Sequence, residues 1–171
     1  KYGSRPDRTW HFPYEPDYSV IESIRPEHIA AARDRFNLPA SRRRIVFCGR
    51  LIDLKRVDLL IDAFSALADR RPDWDLVILG DGELRQSLKD RVPAHLRSRV
   101  VWTGFINDAP TIAAVLACCH VMSLPGDFEQ WGLVLNEGAA SGLALVTSDI
   151  VGASFDLVEE GVNGRRHPPG D

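Results

Sequence analysis

Residues 45–79, IVFCGRLIDLKRVDLLIDAFSALADRRPDWDLVIL, hold two short apolar runs on either side of one amphipathic segment. The runs 45–48 and 76–79 are closed by Gly49 and Gly80, as buried strands bounded by turn residues are. Between them Val57, Leu60, Ile61, Phe64, Leu67 and Ala68 recur at i, i+3, i+4, i+7, i+10 and i+11, which is one face of a helix. Asp58, Asp62 and Asp69 fall elsewhere on that helix, where water can solvate them. The alternation continues outward, with strands expected at 100–103, 120–124 and 143–147 and helices at 82–92, 109–117, 130–141 and 154–159. Five strands alternating with helices predict a parallel sheet joined by right-handed crossovers and covered on both faces, a doubly wound α/β domain of Rossmann-like type. Such sheets bind ligands beyond the carboxyl ends of their strands, so the chemistry is expected in the segments that follow each run.

The 171 residues fit one domain, and 44% hydrophobic with 26% charged residues is a globular composition, neither disordered nor fibrous. With 21 Lys+Arg against 24 Asp+Glu the net charge is −3, which supplies no drive toward nucleic acid. Apolar runs such as 112–119 fall short of the about 18 residues that a bilayer span needs. Three cysteines, Cys48, Cys118 and Cys119, are an odd number with two adjacent, a poor disulfide framework; they are expected to be buried thiols of a reducing compartment. Cys118-Cys119-His120 lacks the intervening residues that let zinc ligands converge, and no metal is expected. No signal peptide and no Asn-x-Ser/Thr sequon is present, which favours the cytoplasm, and the single methionine, Met122, marks the chain as a piece of a longer protein.

Residues 1–44 differ from the rest, with nine Lys/Arg against six Asp/Glu and prolines at Pro6, Pro13, Pro16 and Pro26. The division expected is a lead-in over 1–40, a linker with one short helix at 25–38 that starts at Pro26 and stops before Pro39, followed by the α/β domain at 41–171. The triplet Arg42-Arg43-Arg44 is expected to be a solvated edge rather than a nucleic-acid arm.

Two clusters beyond strand ends carry chemistry. After the first strand, Gly49 makes a turn and Arg50 and Lys55 straddle the start of the helix. A guanidinium fork and a mobile ammonium together suit two neighbouring phosphates, although both residues are also compatible with plain surface charge. Neither a Walker A loop nor GxGxxG occurs, which argues against an ATPase or a nicotinamide dehydrogenase. After the fourth strand comes FEQWGLVLNE at 128–137. A helix beginning near Gln130 or Trp131 leaves the amides of Trp131, Gly132, Leu133 and Val134 free to meet an anion, and Gly132 allows close approach to the backbone. Glu129 and Glu137 flank those amides and are placed to accept hydrogen bonds from hydroxyls on either side, the layout of sugar, diphosphate and ribose. The alternatives are that Glu129 stabilises the helix start and that Glu137 is an exposed helical charge. A glycosidase acid/base pair is disfavoured because the two carboxylates flank helix amides opposite a cationic pair.

These residues, with GRLIDLK at 49–55, LGDGE at 79–83, WTGFI at 102–106, Glu129-x7-Glu137, SGLALVTSD at 141–149 and EGVNGRRHPPGD at 160–171, resemble the C-terminal donor-binding domain of the GT-B glycosyltransferases, in particular retaining family 4. The resemblance covers about residues 45–171 and implies one half of a two-domain enzyme that transfers a hexosyl group from a nucleoside-diphosphate sugar to an acceptor hydroxyl with retention. It implies catalytic duties for Glu129, Arg50 and Lys55: the cations hold the diphosphate and Glu129 binds sugar hydroxyls. Donor contacts would also come from Gly49, Gly80, the loop of Gly104, Phe105 and Ile106 that frames the base, the amides of Trp131 to Val134, and Glu137 at the ribose. No metal or other cofactor is implied, the nucleotide sugar being a substrate. The acceptor would be held by an N-terminal domain absent from this chain, so the chain alone is expected to bind donor without transferring sugar. Helices that normally follow the last residue are absent as well. Peripheral attachment of the whole enzyme to the inner membrane face is compatible with the resemblance. The chain departs from the family at Trp131 for Phe, Gly138 for Ala, Leu143 for Pro and Ala153 for Gly, none of which removes a charged group. A sugar-nucleotide epimerase and a noncatalytic interaction module are the competing functions.

Overall fold

Val46, Phe47, Leu76, Val77 and Ile78 are fully removed from solvent, because the two strands they belong to are covered on both faces and so consist of continuous apolar residues. The computed structural model describes residue 7 and residues 14–171. The first elements are α1 (Tyr18–Glu22), α2 (Pro26–Phe36), β1 (Arg43–Cys48), α3 (Val57–Ala68), β2 (Trp74–Leu79), α4 (Arg85–Arg91) and β3 (Val100–Gly104). They are followed by α5 (Ala109–Leu116), β4 (Val121–Leu124), α6 (Leu133–Ala140), β5 (Ala144–Ser148), α7 (Ser154–Leu157) and β6 (Gly164–His167). The six strands form one parallel sheet in the order β3-β2-β1-β4-β5-β6, the doubly wound Rossmann-like arrangement. Right-handed crossovers place α3 and α4 on one face and α5 and α6 on the other.

The sheet has a sixth strand where five were expected. Its sequence, GRRH, carries no apolar signal; the strand exists because it pairs along β5, from Leu145↔Gly164 to Ser148↔His167. A side chain at Gly164 would meet the Leu145 carbonyl oxygen at 2.2 Å, so glycine is needed where the edge strand docks.

The basic triplet is also not the solvated edge expected of it. Arg44 is only 1% exposed and donates to the carbonyls of Cys118 and Pro39. Arg42 grips Asp75 with two bonds of 2.6 and 2.7 Å, leaving Arg43 as the exposed member. Adjacent side chains of β1 point to opposite faces of the sheet, and on the side of Arg44 the carbonyls of Pro39 and Cys118 close over the guanidinium.

The segment before β1 packs onto the domain. The helix expected over 25–38 is present as α2, preceded by the additional short α1. Both lie against α5, α1 also touches α6, and Ala32 and Leu38 join the main core. Within the expected lead-in, Pro6 and Pro13 lie outside the described residues. Cys118 and Cys119 are buried and all three cysteines are free thiols. Among the described residues, no helix is long and apolar enough to cross a membrane.

Candidate functional site

β1 and β4 are neighbours, paired at Ile45↔Val121 and Val46↔Met122, and the chain winds away from them in opposite directions. The loops after β1 and β4 therefore meet at the sheet's switch point, the place at which open sheets bind ligands. Lys55 comes from the first loop and Glu129 from the second.

The loop after β1 is fixed by backbone bonds to the end of β2. The Gly49 amide donates to Leu79 O at 3.0 Å and the Leu51 amide to Asp81 O at 2.9 Å, and a 3-10 turn at Asp53–Lys55 turns the chain toward α3. The loop after β4 lies against it, the Asp127 amide donating to Leu54 O at 3.0 Å. Here Lys55 Nζ donates to the Glu129 carboxylate, each side chain about a quarter exposed (24% and 26%). The cation expected to hold phosphate and the carboxylate expected to hold sugar thus hold each other in the unliganded chain. Beside them is a cavity of about 20 Å³ lined by Phe47, Cys48, Leu124, Val134 and Val151, room for about one water.

The helix expected from Gln130 or Trp131 starts later, at Leu133, with Gly132 as its N-cap at φ +86°. A side chain at Gly132 would lie 2.7 Å from Val151 Cγ1 and 3.2 Å from Glu129 Cγ, so both the backbone angle and the close packing call for glycine. The Leu135 amide already donates to Gly132 O at 2.7 Å, whereas those of Gly132, Leu133 and Val134 donate to no backbone carbonyl among the described residues. Three open donors and the positive end of the α6 dipole sit next to Glu129. Trp131 instead fixes the turn, its carbonyl accepting from the Ala153 amide at 2.9 Å and its indole N–H donating to Asn136 Oδ1 at 3.2 Å.

The remaining expected residues spread around this centre. Arg50 is exposed, forms no side-chain bond or ion pair among the described residues, and does not line the small cavity. Gly80 lets the strand ends close up: a side chain there would be 1.9 Å from Gly49 O, and its amide donates to Gly104 O at 3.2 Å. Beyond Gly104, Phe105 is 74% exposed and Ile106 is buried. Glu137 faces a second cavity of about 110 Å³ between α1, α5 and α6, with Asp17, Val20, Ile112 and Leu116 in its wall. Burial raises the Glu137 pKa above the ordinary carboxylate value. Burial, assisted by the Glu137 charge, pushes the Cys48 thiol up to about 12. Glu137 thus lines the second cavity and acts on the first only through its charge on Cys48. Among the described residues, no group of three or more His, Cys, Asp or Glu side chains is placed to hold a metal ion.

Three residues of this region take roles that their local sequence does not announce. Arg56 and Asp127 bridge the two loops at 2.8 Å, and buried Asn136 ties α6 to Glu15 and Tyr18 ahead of the domain. For Asn136 the signal was a lone amide in an apolar helix.

Residues 42–171 match the family of glycosyl transferases group 1. The chain belongs to this family of glycosyltransferases. It is 39% identical over 104 residues to the GDP-mannose-dependent alpha-(1-6)-phosphatidylinositol dimannoside mannosyltransferase of Mycobacterium tuberculosis, covering 61% of this chain and 26% of that protein. It is 33% identical over 141 residues to the alpha-D-kanosaminyltransferase of Streptomyces kanamyceticus, covering 82% and 36%. Anabaena HepE, solved with UDP and glucose, superposes with a TM-score of 0.80 at 26% identity over 99% of this chain and 45% of that one. This glycosyltransferase chain therefore spans less than half the length of each, and its Rossmann-like sheet corresponds to one half of a GT-B enzyme.

Proposed function

We propose that this chain is the C-terminal, donor-binding half of a GT-B enzyme that moves a hexosyl group from a nucleoside-diphosphate sugar to an acceptor hydroxyl with retention. The observation that carries this reading is the meeting of Lys55 and Glu129 beside the open amides of Gly132, Leu133 and Val134 at the sheet's switch point. Lys55 and those amides take the diphosphate, with Arg50 free to swing onto it from the rim. Glu129, released from Lys55, accepts from sugar hydroxyls, and Glu137 accepts from the ribose. As the anomeric C–O bond breaks, negative charge gathers on the departing diphosphate, and donors already fixed there stabilise it most in the transition state. These cations and amides do the work a divalent ion would otherwise do, so donor binding is metal-independent. The names of the relatives support the donor class, one using GDP-mannose and one holding UDP and glucose. The acceptor is held by an N-terminal domain outside this chain.

Calorimetric titration with UDP, GDP and ADP, with UDP-glucose and GDP-mannose alongside and EDTA throughout, tests the reading. Saturable binding of one diphosphate is expected, weakened strongly by Arg50→Ala or Lys55→Ala while binding of the bare nucleoside changes little. Equal losses for diphosphate and nucleoside overturn the phosphate assignment. Absence of nucleotide binding by both this chain and the full-length protein overturns the donor reading.

A further inference from the structure

Only two non-glycine residues among those described have positive φ, Asn37 and Arg56. Asparagine tolerates the left-handed region; arginine at φ 48° and ψ 42° has no such excuse, and a strained residue beside a binding site marks a functional constraint. The strain puts the Arg56 guanidinium between two carboxylates. It forks onto Asp58 at the start of α3, with bonds of 3.1 and 3.2 Å, and its Nη1 reaches Asp127 in the loop after β4 at 2.8 Å. The two ends of the Arg56–Asp127 pair are 28% and 39% exposed, where an ion pair adds little to stability, so global stability does not explain it. What the pair does is local. Arg56 follows Lys55 directly and Asp127 precedes Glu129 by two residues, so the pair runs beside the Lys55–Glu129 contact, with the bond from the Asp127 amide to Leu54 O completing the ladder. Gly126, whose carbonyl is held by Ser148 Oγ at 2.6 Å, lets the loops approach; a side chain there would be 2.9 Å from Leu54 O.

We propose that Arg56 and Asp127 are positioning residues that hold the Glu129 loop against the loop of Lys55, and so set the preference for a sugar-bearing diphosphate over a bare one. The proposal rests on the donor-site reading above. A phosphate arriving at Lys55 displaces the Glu129 carboxylate, which then serves the sugar only if its loop stays in place. The bracket through Asp127 keeps it there, while Lys55 and the α6 amides hold the diphosphate without its help.

Arg56→Gly, Asp127→Asn and the double variant test this, with two readouts. Glycine is at home at this φ, so Arg56→Gly folds with a thermal midpoint equal to or above that of the unchanged protein. Hydrogen exchange at the Asp127 amide is expected to quicken in each variant. Affinity for the sugar nucleotide that the unchanged protein binds is expected to fall about three- to tenfold, affinity for its bare diphosphate staying within about twofold. The double variant should lose no more than either single one, since both break the same pair. Unchanged exchange at Asp127 overturns the bracket. Equal loss for both ligands, or additive losses, overturns the sugar preference. If the unchanged protein binds no nucleotide, the donor reading fails and takes the sugar preference with it, and the exchange rates alone then decide whether the bracket exists.

Discussion

Asn136 and Glu15 meet 121 residues apart in the chain, the buried amide Nδ2 donating to Glu15 Oε2 at 2.9 Å. The same Nδ2 reaches Tyr18 OH at 3.2 Å, and Tyr18 donates in turn to Glu15. Because Asn136 Oδ1 accepts from the Trp131 indole, the segment ahead of the domain and the turn leading into α6 share one side chain. A phenylalanine at position 131 has no N–H to orient that amide. The tryptophan at 131 therefore orients the Asn136 amide toward Glu15 and Tyr18.

Asn136→Asp should expose this network. It puts a carboxylate, which cannot donate at neutral pH, against the Glu15 carboxylate in a site where Asn136 is 1% exposed. Loss of the donor removes the bonds to Glu15 and Tyr18 and leaves a charge in the buried site of residue 136, at a cost of about 1–3 kcal/mol. The urea midpoint is expected to drop at pH 7 and to recover toward pH 4, as protonation restores a donor. An equal deficit at both pH values sinks the explanation.

Glu137 ties stability to pH in a predictable direction. Burial raises its folded-state pKa above 4.5, so between that value and the folded pKa the native chain holds a proton that the unfolded chain has lost. The contribution of this group to stability is complete below about 4.5 and disappears as pH rises through the folded pKa. Glu137→Gln should therefore be more stable than the unchanged protein at pH 7 and lack this fall. Its affinity for the nucleoside should decline if, as proposed, this carboxylate accepts from the ribose. Urea unfolding across pH 4–8 checks the first half and titration with nucleoside the second; a less stable Glu137→Gln at pH 7 contradicts the burial argument.

Much of this was legible in the sequence where a residue's own neighbours determine its place. The buried strands β1 and β2 are apolar runs, α3 shows its face in the spacing from Val57 to Ala68, and Lys55 and Glu129 stand out as charges just beyond strand ends. Features set by partners distant in the chain were not. β6 is polar and is a strand only because β5 lies beside it. Arg44 sits in a basic triplet that looks solvated until the carbonyls of Pro39 and Cys118 close over it. Arg56 and Asp127 are 71 residues apart, and their pairing follows from the adjacency of β1 and β4 rather than from either local sequence.

On the proposed donor-site reading, the Lys55–Glu129 contact sets ligand and protein in competition for one ammonium. Both side chains are partly exposed, and such a pair contributes up to about 1 kcal/mol. Glu129→Gln frees Lys55, so the affinity for a bare nucleoside diphosphate should rise roughly two- to fivefold, the equivalent of that energy. The same change weakens recognition of the sugar, so the ratio of sugar-nucleotide to diphosphate affinity should fall. Titration of both ligands against both proteins measures the two effects at once. A drop in diphosphate affinity contradicts the competition.

Gly138 sets intrinsic helix preference against packing, and the two predict opposite signs. In an exposed helix Gly→Ala stabilises by up to about 1 kcal/mol, which makes glycine one residue after Glu137 look like a weakness of α6. In place, however, a side chain at 138 would come 2.6 Å from Met122 Sδ and 2.9 Å from its Cε, and Met122 is fully buried on β4. A thioether yields more readily than backbone, but forcing a methyl into a filled core costs about 1–3 kcal/mol. Packing should therefore prevail, making Gly138→Ala net destabilising by about 1 kcal/mol in urea unfolding. Met122→Val, which removes the obstructing sulfur and methyl, should reverse the sign, so that Gly138→Ala becomes stabilising when added to Met122→Val. A stabilised single variant would mean that α6 shifts off β4 without cost, and the amides of Leu133 and Val134 would then not be held in place by this contact.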